Sequence, residues 1–137
     1  NITEQKKEKV DFDRLEQVLI KSELKSVVNK LPIGLETKIG EYGMKLSGGQ
    51  QQRIGIARAL YKKDFEVLFL DEATNALDMN TENKIINNLI NSGEKSTIIM
   101  IAHRIQTLKN CTRVIEINNG ILINDGKPSE IISNWQV

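Results

Sequence analysis

Two short apolar runs, "VLFL" at 67–70 and "TIIMIA" at 97–102, constrain this chain more than any other feature. The first ends in Asp71 and Glu72, the second in His103, the only histidine. Between them Ile85, Ile86, Leu89 and Ile90 recur at helical spacing, with Gly93 near the end of that stripe. Apolar runs of this length without polar alternation read as strands buried on both faces, the usual state of parallel strands. Buried strands alternating with amphipathic helices indicate an α/β sandwich around a largely parallel sheet.

The flanking segments fill in the organisation. Residues 1–10 are polar and charged and read as solvated linker, the Lys6, Lys7 and Lys9 cluster being mixed with glutamates. From Asp11 the spacing of Phe12, Leu15, Val18 and Leu19 predicts a helix. Ser22 is a candidate cap for a second, short helix carrying Leu24, Val27, Val28 and Leu31, which Pro32 and Gly34 stop. Residues 32–46 read as loop. A third helix starts behind Ser47, with Ile54, Ala57 and Leu60 at helical spacing. The helical stretch 11–61 is expected to form a separate lobe. After His103, Ile105 and Leu108 suggest a short helix. "RVIEI" (113–117), Asn119-Gly120 and "ILIN" (121–124) then read as a β-hairpin. Asp125-Gly126 is expected to make a further turn, and Ser129 to cap a last helix through Ile132.

Composition narrows the function. The 137 residues suit one domain, and 19 basic against 18 acidic residues leave a net charge of +1. A dedicated nucleic-acid binder would show a basic face, so no nucleic-acid partner is expected. Cys111 is the only cysteine, which excludes a disulfide framework and a cysteine zinc site. No apolar run approaches the length needed to cross a bilayer. The opening "NITEQKKEKV" is no secretory leader and has no initiator methionine, so a piece of a longer polypeptide is expected.

Three stretches carry chemistry. In "LSGGQ" (46–50), Ser47 suits the N-cap of the following helix, whose first N–H groups lack intrahelical partners. Those donors and the helix dipole favour an anion, and Gly48 and Gly49 let the backbone approach one closely. The alternative is a capped helix with a flexible entrance. Asp71 and Glu72 stand at the carboxyl end of a strand, where α/β sheets bind ligands. Asp71 suits Mg2+, a hard cation that often takes only one or two carboxylates plus phosphates, and Glu72 suits a general base. Solvated turn acids are the plain alternative. His103 would reach the same sheet edge, although a lone histidine is more often structural.

In order, "LSGGQQQR", "VLFLDEATNALD" and "IIMIAHR" resemble the ATPase domain of ATP-binding cassette (ABC) proteins. There they are the signature motif, the Walker B strand with its catalytic glutamate, the D-loop and the switch histidine. The resemblance spans nearly the whole chain, including "NNGILINDGKPSEII" near its end. "TKIGEYG" (37–43) looks like the TxVGExG stretch of exporter-type members, where the loop touches the coupling helices of the membrane domain.

The resemblance implies a role for each residue. Ser47 and Gly49 would bind the γ-phosphate of an ATP carried by a second ABC ATPase subunit in a head-to-tail dimer, with Gly48 and Gln50 completing that ATP-binding loop. Asp71 would hold Mg2+ through water, Glu72 would activate the attacking water, and His103 would contact the γ-phosphate. Asp78 would couple the two composite sites. The location implied is the cytoplasmic side of a membrane. Asn75 departs from the common SALD, and Asp64-Phe65 stands where a proline is frequent.

One expected motif is missing. No GxxxxGK(S/T) occurs in the 137 residues, and that is the loop whose backbone and lysine cradle the β- and γ-phosphates. The chain therefore reads as the C-terminal portion of a P-loop NTPase (RecA-like) core: a helical signature lobe over 1–61 and the rest of the α/β core, with a C-terminal hairpin, over 62–137. Alone it is expected to be inactive, with an open gap in its sheet. Two rivals remain: a soluble ABC ATPase of nucleic-acid repair or translation, and a non-catalytic dimerisation module.

Overall fold

The computed structural model describes residues 2–3, 10–40, 43–62, 65–92, 96–102, 104–133 and 135. His103, Gly93, Asp64, the 41–42 part of "TKIGEYG" and the lysines at 6, 7 and 9 therefore lie outside the described residues. The chain forms two compact units, 1–100 and 101–137.

In the first unit, Asp11 caps α1 (Phe12–Lys21) by accepting from the Arg14 N–H at 3.0 Å. Leu15, Val18 and Leu19 face the core, while Phe12, expected on the same stripe, is exposed. Ser22 ends α1 and does not start α2 (Lys25–Val28), contrary to the sequence expectation. Its hydroxyl donates to the Val18 carbonyl at 2.7 Å. The Glu23 N–H bonds the Ile20 carbonyl and the Leu24 N–H bonds the Leu19 carbonyl, a Schellman closure. Glu23 takes the left-handed position, φ 55°, that glycine usually fills there. Arg53 donates to the Glu23 carbonyl at 2.7 Å and holds that turn from outside.

After a 3-10 turn at Gly34–Glu36, α3 (Gly48–Tyr61) begins at Ser47 in a complete capping box. At its other end Arg14 donates to the carbonyls of Leu60, Tyr61 and Lys62. One guanidinium thus satisfies groups the helix leaves open and places a cation at the negative end of its dipole.

Strands β1 (Val67–Asp71) and β2 (Thr97–Ile101) are hydrogen-bonded neighbours in a parallel pair, joined through α4 (Met79–Ile90). Leu68 and Leu70 enter a core made with Leu15, Val18, Ile56, Leu60, Ile85 and Leu89. The other face of β1 does not follow expectation: Val67 and Phe69 are exposed, as is Ile99 of β2. The helices pack on one face only, and among the described residues nothing covers the second. An unbroken apolar run hides this alternation, because both faces carry the same residue type. The helices α1 and α3 share one core with β1 and α4.

In the second unit, α5 (Ile105–Leu108) precedes an antiparallel hairpin of β3 (Val114–Asn118) and β4 (Ile121–Gly126). Asn119 and Gly120 both have positive φ, as a two-residue turn of this hand requires. The expected turn at Asp125-Gly126 is absent. Both residues extend β4, pairing with Ile115 and Val114, and Arg113 grips the Asp125 carboxylate. Helix α6 (Pro128–Ser133) then starts at Pro128, so Ser129 lies within the helix and does not cap it. Proline suits that first position, where its missing N–H costs nothing.

Candidate functional site

The first turn of α3 offers what an anion needs. The Ser47 hydroxyl accepts from the Gln50 N–H at 3.3 Å, and the Gln50 side chain accepts from the Ser47 N–H at 2.9 Å. The serine proton remains available to donate outward. No partner for the Gly48 or Gly49 N–H is found among the described residues. These donors sit at the positive end of a 14-residue helix. The donor set fits a phosphate oxygen.

Gly49 has a second reason to lack a side chain. A methyl group there would lie 2.9 Å from the Ala76 carbonyl oxygen and 3.1 Å from Leu77 Cδ2. The loop that follows β1 packs directly on the start of α3. Sequence reasoning assigned both glycines to the anion, but at Gly49 the chain's own loop already demands the space.

That loop holds the acids. Asp71 is the last residue of β1 and Glu72 the next, both exposed. Glu72 adopts φ 47°, the left-handed region, which costs a residue with a Cβ on the order of 1–2 kcal/mol. Its carbonyl accepts from the Asn75 N–H at 3.2 Å and from Gln52 Nε2 at 3.2 Å. Its carboxylate accepts from Asn75 Nδ2 at 2.9 Å. Further along, the Ala76 N–H donates to Gln52 Oε1 at 2.9 Å, and the Thr74 hydroxyl to Glu82 Oε1 at 2.9 Å. Glu82 is buried and Leu77 anchors the loop in the core. Asp78 closes it as the N-cap of α4, accepting from the Thr81 N–H at 3.0 Å. Hydrogen bonds from the Thr81 side chain and backbone hold the Asp78 carboxyl below its ordinary pKa.

Ser47, Gly48, Gly49 and Gln50 thus stand on the same helix start that carries the loop from Glu72 to Asp78, and His103 is outside the described residues. Gln52, Thr74 and Glu82 were missed in the sequence. The available signal for Gln52 was its position three after Gly49, on the same helix face. No group of three or more His, Cys, Asp or Glu able to cage a metal occurs among the described residues. Asp71 with Glu72 fits Mg2+ held largely by phosphate and water, and does not fit an all-protein cation cage.

A strand–helix–strand unit with acids at a strand's carboxyl end, beside an anion-ready helix start, is the layout of α/β proteins that handle phosphorylated ligands. Residues 2–75 match the family model described as ABC transporter, and the chain belongs to that family. It is 45% identical over 126 residues to an ATP-dependent lipid A-core flippase of Cupriavidus metallidurans, covering 92% of this chain and 21% of the relative. It is 46% identical over 106 residues to the alpha-hemolysin translocation ATP-binding protein HlyB of Escherichia coli O157:H7, covering 77% of this chain and 15% of that protein. A solved bacterial Atm1-family ABC exporter with ATP bound superposes with a TM-score of 0.83 at 30% identity, over 93% of this chain and 22% of that one. The chain spans about a fifth of the length of the curated flippases it matches. No helix among the described residues is long and apolar enough to cross a membrane.

Proposed function

We propose that this chain is the signature-and-Walker-B portion of an ABC exporter ATPase domain, working within a longer protein on the cytoplasmic side of a membrane. The observation that carries the reading is the left-handed Glu72 at the end of β1, held against the anion-ready start of α3. In this reading Glu72 is the general base that takes a proton from the attacking water. Asp71 would hold Mg2+, which would supply charge neutralisation to the phosphates when bound. Ser47, Gly48, Gly49 and Gln50 donate to the γ-phosphate of an ATP seated on a second, head-to-tail ATPase subunit. His103 contacts that phosphoryl group, and Asp78 links the two composite sites. The helical part through residue 61 acts as the signature lobe and 62–137 as part of the ATPase core.

An apolar hollow of about 240 Å³ opens between α1, α2 and residues 34–39, lined by Phe12, Leu24, Leu35 and Ile39 among others. We assign this surface to the coupling helices of the membrane domain. The 137 residues hold no GxxxxGK(S/T), so the β- and γ-phosphates need a cradle from elsewhere, and the chain alone does not turn over ATP.

The test is Glu72→Gln in the full-length transporter. ATP binding should persist while hydrolysis falls by roughly 10²–10⁴, the range a positioned base contributes. Normal turnover in that variant removes Glu72 from the role of base.

A further inference from the structure

We propose that Gln52 is a positioning residue for Glu72, a proposal that rests on the assignment of Glu72 as base. Among the described residues its side chain makes two bonds, and both land on the same loop: Nε2 donates to the Glu72 carbonyl and Oε1 accepts from the Ala76 N–H. An amide bridging residues 72 and 76 fixes the loop at both ends of its turn and ties it to the second turn of α3. Glu72 needs such a tie because its left-handed backbone is uphill from the ordinary regions. Bonds within the loop and to α4 hold it as well, and Gln52 is the hydrogen-bonded tie that comes from α3. Among residues 72–77 only Leu77 is buried, and Thr74 is held at the far side by Glu82.

Gln52 is half-buried and lies outside the apolar core, so its main contribution is to loop geometry rather than to burial. It follows the four residues given to the phosphate by one short helical step. The same helix therefore presents donors to an anion at its tip and grips the base from its side. A shift of α3 would be passed to Glu72 through one side chain. A misplacement of about 1 Å at such a group can cost on the order of a hundredfold in rate.

The first readout needs no nucleotide. In the nucleotide-free full-length protein, Gln52→Ala should raise amide exchange at Ala76 and its loop neighbours while leaving α4 and the core of α3 unchanged. Unchanged exchange at Ala76 overturns the clamp. The second readout is kinetic: Gln52→Ala should lower kcat for ATP hydrolysis about tenfold or more, with KM for ATP within about threefold and an unaltered melting temperature. A melting temperature that falls in step with activity marks a purely structural role and overturns the proposal.

Gln52→Glu separates the two bonds. It keeps an acceptor for the Ala76 N–H but turns a carboxylate, with no donor, toward the Glu72 carbonyl. It should match Gln52→Ala in kcat; wild-type kcat would show that the Ala76 bond alone matters and that Glu72 is not what Gln52 positions. In single-turnover assays Gln52→Ala should add less than about twofold to Glu72→Gln, because a residue acting through another has no independent effect once that other is gone. Full multiplicative loss overturns the proposal. Wild-type turnover of Glu72→Gln alone instead fails the underlying reading of the base.

Discussion

Residues 1–100 close a core of their own, in which Ile85 and Ala57 have no exposed surface, whereas the hairpin unit 101–137 buries Val114, Ile131 and Ile132 and leaves Ile115, Ile117, Ile121, Leu122 and Ile123 open. The first unit is specified by side chains. Its helices are placed by interlocking leucines and isoleucines, and its functional loop by amide and carboxylate bonds from α3 and α4. The second is specified mainly by its backbone: an antiparallel ladder and a left-handed two-residue turn, with the Arg113–Asp125 ion pair beside them. The difference teaches where precision resides. The proposed chemistry sits where packing holds residues on several sides, and the regular ladder carries none of the acids assigned to it.

The largest expected contrast is in core substitutions. Ile85→Ala should cost about 2–5 kcal/mol in chemical unfolding, since it opens a cavity among residues that cannot fully close. Ile117→Ala, at 67% exposure, should stay within about 0.5 kcal/mol. Equal losses would break the distinction between the units.

A smaller contrast lies within α3. Gly49→Ala should destabilise by about 1–3 kcal/mol, because its methyl group meets the Ala76 backbone, which cannot yield cheaply. Gly55→Ala meets nothing within 4 Å and should stabilise the helix by about 0.5–1 kcal/mol. A neutral Gly49→Ala would remove the loop contact from the explanation of that glycine.

The smallest effect concerns acid. A side-chain hydrogen bond from Arg113 holds the Asp125 carboxyl below its ordinary pKa, as hydrogen bonds from Thr81 do for Asp78. Groups with depressed native pKa stabilise above the unfolded value, near ~3.9 for Asp, and that stability is lost as pH falls through the native value. Amide exchange around both residues should therefore be flat with respect to these groups from pH 7 to 5 and rise below about 4. High salt should weaken the contribution of Asp125, whose partner is charged, and spare that of Asp78, whose partners are neutral. Equal salt sensitivity would contradict this division.

Much of the fold was legible because it is local. The N-cap at Ser47, the Asn119-Gly120 turn and the strand–helix–strand order need only neighbouring residues. Three of the failures share a cause: each depended on something distant. Ser22 reads as a helix start until Arg53, thirty positions after Glu23, holds that residue in a left-handed turn. Asp125-Gly126 reads as a turn until Arg113 and the partner strand extend it. "VLFL" reads as doubly buried because an apolar run does not say how many faces are covered.

Ser47, Gly49, Asp71 and Glu72 could be picked out by type and position, since backbone donors, carboxylates and caps have chemistry that sequence displays, whereas Asp78 came only from the family resemblance. What only the tertiary structure decided is how they meet. Gly49 makes room for the Ala76 carbonyl, Gln52 spans from 72 to 76, and Glu82 fastens Thr74. A glutamine or a buried glutamate looks the same in sequence whether or not it is satisfied. Its partners are chosen by the packing of α3, β1 and α4, and the long-range contacts behind that packing leave no periodic trace along the chain.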